Sequence, residues 1–70
     1  MAFTKAIEIN PNYAEAYHER GLAYDAIGEY DRAISDYNKA IEINPKYEKA
    51  YNHRRLAKSA KGRNDRAISE

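Results

Sequence analysis

The chain contains no cysteine and no tryptophan, and its 70 residues include only three glycines, two prolines, one methionine and one phenylalanine. Without cysteine there is neither a disulfide framework nor a thiolate zinc site. Three isolated glycines cannot make a glycine-rich phosphate loop. No apolar run approaches membrane-spanning length, and the N-terminus lacks the pattern of a secretory leader. The expectation is a soluble, cytoplasmic protein without membrane association. The length allows one small domain, and a core of that size rarely supplies more than about 3–5 kcal/mol.

What is present is repetition. Lys5–Pro11 (KAIEINP) is identical to Lys39–Pro45, and Asp65–Ser69 (DRAIS) is identical to Asp31–Ser35, both at an offset of 34 residues. Self-similarity at one fixed period marks a protein built from stacked units, each of which buries its apolar face only against its neighbours. About three units are usually needed for stability. This chain holds one whole unit with a fragment on either side, so it is expected to be marginal alone.

The central unit carries a resemblance. Tyr17, Gly21, Tyr24, Ala33, Tyr37, Ala40 and Pro45 stand at the spacings of the tetratricopeptide repeat, a helix–turn–helix unit of this period. Arg20 departs from the commonest pattern, which has leucine there, and tyrosine replaces tryptophan at Tyr17 and phenylalanine at Tyr37. The resemblance implies an all-α fold of antiparallel helix–turn–helix repeats stacked as a segment of right-handed superhelix. It divides the single domain 1–70 into the end of a preceding repeat (1–11), a complete repeat (12–45) and a partial repeat or capping helix (46–70).

Local signals agree with that division. Phe3, Ala6 and Ile7 share one face of a helix over residues 2–9, which Asn10-Pro11 should stop because proline disfavours helical geometry in the residue before it. Asn12 then offers an N-cap, with Glu15 three residues on. The next helix is expected from about Tyr13 to Ile27, with Tyr17, Gly21, Tyr24 and Ile27 as its packing stripe. Gly21 leaves room for a neighbouring helix, and Gly28 suits a left-handed C-terminal cap. A second helix from about Tyr30 to Ile43 should turn Tyr30, Ala33, Ile34, Tyr37, Ala40 and Ile41 inward, giving a tyrosine-rich core whose hydroxyls need partners. A third is expected from Tyr47 to about Lys61. There the pattern decays, with Arg55 in the place of Gly21, Lys58 in that of Tyr24 and Asn64 in that of Tyr30. Two accounts stay open: a solvating terminal helix, or a third hairpin whose second helix begins at Asp65.

Function, on this resemblance, is non-catalytic binding of a peptide or partner protein on the inner, concave helix face. A second stripe on the first helix, Glu15, His18, Leu22 and Asp25, has the counterparts Lys49, Asn52, Leu56 and Ser59, with His53 beside them. Together these would floor a groove between an acidic and a more basic wall. Some proteins of this kind hold a chaperone's C-terminal carboxylate through a lysine and asparagines. Here His18 and Leu22 replace two of those positions, so that clamp is not expected.

The competing reading is self-assembly into a swapped dimer or head-to-tail array. It would use Phe3, Ala6 and Ile7 at one end and Ala67 and Ile68 at the other. Charge supports it: residues 1–45 carry four basic against eight acidic side chains, and residues 46–70 carry eight basic against three acidic. Opposite ends of a rod would attract, although solvated helix faces explain the same pattern. The basic cluster Arg54, Arg55, Lys58, Lys61, Arg63 and Arg66 has no aromatic residue after Tyr51 to stack on bases, so nucleic acid is not the expected partner.

Nothing points to catalysis, a cofactor or a metal. Ser35, Ser59 and Ser69 lie on helical patterns without a His–Asp arrangement. His18 and His53 are not equivalent under the repeat and so need not converge, and His18 with Glu19 is an ordinary pair for a solvated helix.

Overall fold

The computed structural model describes residues 2–69, and the side chains of residues 3–63. Four helices follow one another, with no strand among the described residues: α1 (Ala2–Ile9), α2 (Ala14–Ala26), α3 (Tyr30–Ile43) and α4 (Glu48–Ser69). The all-α helical-repeat fold follows the sequence. Neighbours in sequence pack on one another, and α2 also touches α4 directly.

Both Asn-Pro corners are built the same way. The Asn10 side-chain oxygen accepts the Asn12 N–H at 3.1 Å, and that of Asn44 accepts the Lys46 N–H at 3.1 Å. These side chains mimic a backbone turn. The turn delays the helix by a residue, so Tyr13, not Asn12, occupies the N-cap of α2 and no side chain caps it. The Asn12–Glu15 cap expected from sequence is therefore absent.

At the other end of α2, the Glu29 N–H bonds to the Tyr24 carbonyl at 2.9 Å and the Gly28 N–H to the Asp25 carbonyl at 3.1 Å. This pair of bonds is a Schellman cap. It requires the left-handed conformation that Gly28 adopts at φ 81°. Ile27 leaves the helix at this cap and stands 72 % exposed, so it is not part of the packing stripe. The short turn sends α3 back antiparallel along α2.

The hairpin closes on Tyr37, which is fully buried together with Ala33 and Ala40 of α3 and Ala57 of α4. Tyr30, Ile34 and Ile41 complete the inward face half-buried. Gly21 makes the approach possible, because a Cβ there would lie 2.5 Å from Tyr37 Cε1. The Tyr37 hydroxyl donates to Asp25 Oδ2 at 3.2 Å, which supplies the partner a buried phenol needs. Burial, then the Asp25 carboxylate, raises the Tyr37 pKa well above the ordinary phenolic value.

The α4 helix corrects the expected end near Lys61. It continues as one helix to Ser69, through Gly62, the repeat counterpart of Gly28, and through Asp65–Ser69. The substituted positions explain this. Arg55 and Lys58 are exposed where Gly21 and Tyr24 are covered, so a returning helix would have no apolar stripe to bury. Continued local hydrogen bonding then wins over a turn. The Asn64 side chain, and those of Ala67 and Ile68, lie outside the described residues.

Candidate functional site

Between the start of α2 and the corner leading into α4 lies an open groove of about 1000 Å³. Its walls are Tyr13, Glu15 and Glu19 on one side and Tyr47, Glu48 and Lys49 on the other. Its floor is His18, Leu22 and His53. Tyr13 and Tyr47 are repeat equivalents, each placed just after its Asn-Pro corner. Identical corners thus present an aromatic ring on each side of the same cleft.

Five of the nine residues singled out from sequence line this groove: Glu15, His18, Leu22, Lys49 and His53. The other four do not. Asp25 faces the Tyr37 hydroxyl, and Asn52 accepts a bond from Arg55 Nη2 at 3.4 Å. Leu56 stands 58 % exposed away from the groove, and Ser59 is exposed. Tyr13, Glu19, Lys46, Tyr47 and Glu48 were missed, although the repeated corners could have marked the two tyrosines. Of the residues considered for self-association, Phe3, Ala6 and Ile7 are half-buried on α1.

The floor holds a chain of polar contacts. His18 is 5 % exposed. Its Nε2 meets His53 Nδ1 at 2.9 Å, and its Nδ1 meets the Tyr47 hydroxyl at 3.2 Å. The two imidazoles, which repeat arithmetic keeps apart, converge because His53 sits one residue beyond the strict equivalent of His18, on the side of α4 that faces α2. Burial, then the charge of His53, lowers the His18 pKa below 6.5, while Glu19 and Glu15 partly oppose the change. Burial also raises the Tyr47 phenol, with help from Glu15 and Glu19. His18 is therefore a neutral, hydrogen-bonded floor residue near neutral pH. Among the described residues, no three His, Cys, Asp or Glu side chains come together as a metal site.

A second buried polar contact lies on the far side of the hairpin. Arg20 Nε and Nη2 donate to the two oxygens of Asp36 at 2.8 and 2.7 Å. The Arg20 guanidinium also lies 5.6 Å from the Tyr17 ring centroid and 5.9 Å from that of Tyr24. On α4 the basic residues are partly engaged within the fold. Arg54 donates to Asn38 at 2.8 Å, and Lys61 pairs with Asp31 at 2.6 Å.

Among the described residues, no helix is long and apolar enough to cross a membrane. Residues 14–47, which span α2, α3 and the second Asn-Pro corner, match the family model described as tetratricopeptide repeat. Comparison with curated proteins and with solved structures finds no match.

Proposed function

Because the chain is a tetratricopeptide-repeat protein or a fragment of one, we propose that it is a non-catalytic interaction module whose groove between α2 and α4 receives a peptide segment of a partner protein. Repeats of this family are generally protein-interaction modules. The observation that carries the finer reading is the groove itself. It has paired tyrosines at its mouth, charged residues of both signs on its walls and a half-buried Leu22 below them. Charged walls of both signs around a small apolar floor suit a site that reads the side chains of a peptide. Tyrosine is among the residue types that supply most binding energy at interfaces once a partner covers it.

Selection of peptides from a random displayed library against the whole chain tests this reading. Binding of the selected peptide is then measured by calorimetry. Glu15→Lys and Lys49→Glu change exposed groove walls without touching the core, and each should weaken binding about tenfold, or about 1.4 kcal/mol. Undiminished binding by both variants would place the site elsewhere.

Self-assembly is the second reading, favoured by the opposed charges of the two ends. Stacking in the manner of the repeat is opposed by Arg55, an exposed residue at the position equivalent to Gly21, where the central unit leaves room for Tyr37. Light scattering over a concentration series separates the readings: a constant mass of one chain rules out assembly.

A further inference from the structure

We propose that the His18–His53 contact is a proton-sensitive latch between α2 and α4, closed while the pair carries at most one added proton and opened by a second. With both rings neutral, one N–H faces one lone pair across the 2.9 Å gap. One added proton keeps that pattern. If His18 takes it, Nε2 donates to His53 and Nδ1 donates to the Tyr47 oxygen, whose distance of 3.2 Å suits either direction. A second added proton leaves N–H facing N–H, with no acceptor between two cations in a largely buried place. The contact then has no favourable form.

The surroundings do not rescue it. From α2, Glu15 and Glu19 favour protonation of His18; from α4, Lys49 and His53 oppose it, and burial opposes it most. The corner before α4 contributes the Tyr47 hydroxyl. From α3 the Tyr37 ring lies tilted at 5.9 Å from His18 and stacks at 6.1 Å from His53, and offers no counter-charge. Folded His18 thus binds protons less readily than the unfolded chain. The stability it confers is present above the unfolded value of about 6.5 and is lost as pH falls through the depressed folded value. Since His18 and His53 join α2 to α4 across the groove floor, the loss falls on that junction, whereas the close approach of Tyr37 to Gly21 and its hydrogen bond to Asp25 lie within the α2–α3 hairpin.

The test is a histidine-ring NMR titration of the whole chain from about pH 8 to about pH 4.5, the range in which imidazoles change charge. The expected result is a His18 ring that takes up its proton only below its ordinary value. Ring-to-ring contacts between His18 and His53 should vanish at the acid end while contacts of Tyr37 with Gly21 persist. His53→Gln keeps an acceptor but cannot charge, so its α2–α4 contacts should survive to lower pH than those of the wild type. Mutual ring contacts that stay intact at the acid end in the wild type would overturn the proposal whether or not the variant folds.

Discussion

Arg20 grips both oxygens of Asp36 from across the hairpin, at 2.8 and 2.7 Å, with side chains only 20 % and 7 % exposed. The Asp36 bond raises the already high Arg20 pKa, so the guanidinium keeps its charge. Removing one partner strands the other. Asp36→Ala should destabilise the chain by about 1–3 kcal/mol, below the range for fully buried pairs because Arg20 retains some water. Arg20→Leu, which restores the residue usual at that position in similar repeats, should cost at least as much by leaving a buried carboxylate unpaired. The double variant Arg20→Leu with Asp36→Leu should be near neutral or more stable than the parent. Urea unfolding followed by circular dichroism measures all three. A double variant as unstable as the worse single would show that packing around the arginine stem, not the charge pair, holds the contact.

The three glycines should respond differently to alanine. At Gly21 the new Cβ would lie 2.5 Å from a ring carbon of Tyr37, a buried side chain with nowhere to move, and the loss should be about 1–3 kcal/mol. At Gly28 there is open space but φ is 81°, so the cost is backbone strain of about 1–2 kcal/mol. At Gly62 there is space and a helical backbone, so alanine should stabilise by about 0.5–1 kcal/mol and raise helicity. A loss at Gly62 resembling that at Gly28 would mean that α4 turns there in solution.

Those glycines also show where sequence reasoning succeeds. Gly21 and Gly28 were legible because each acts locally, one by lacking a side chain on a packing stripe and one by following the last helical residue. The bounds of α3 were legible for the same reason. Gly62 was not, because its conformation depends on whether a stripe exists for a returning helix, and Arg55 and Lys58 remove it. The groove was half legible: helical spacing gave Glu15, His18 and Leu22, and the repeat offset gave Lys49. Leu56 was misplaced because an offset assigns equivalent positions, not equivalent neighbours. The Arg20–Asp36 pair and the His18–His53 contact left no periodic signal, since each joins residues on different helices.

Alkaline pH should weaken the fold through its buried phenols. Tyr37 and Tyr47 both have raised pKa values, chiefly from burial, with Asp25 adding to the first and Glu15 to the second. The folded chain then holds protons that the unfolded chain releases. Their stabilising contribution is complete below the unfolded value of about 10 and falls as pH rises beyond it. Denaturation midpoints measured from about pH 9 to about pH 11 should drop. Tyr37→Phe loses a hydrogen bond worth about 1 kcal/mol at neutral pH but should show a shallower alkaline decline. An equally steep decline would assign the effect to other groups.

Leu22 and Leu56 occupy the same place in successive units yet meet different surroundings, and glutamate substitution exposes the difference. Leu22 is half-buried and packs against the cluster of Ala33, Tyr37 and Ala57 while flooring the groove. Leu22→Glu places a carboxylate against that cluster and should destabilise by about 2 kcal/mol or more, the loss of a large apolar side chain plus the burial of charge. Leu56 is 58 % exposed and lies outside the groove. Leu56→Glu should change stability by no more than about 0.5 kcal/mol and leave the affinity of a groove-binding peptide unaltered. Thermal unfolding and calorimetry on the same two variants separate the roles. If Leu56→Glu abolished peptide binding with its stability intact, the partner would lie along the outer face of α4, and the groove between α2 and α4 would be a structural seam.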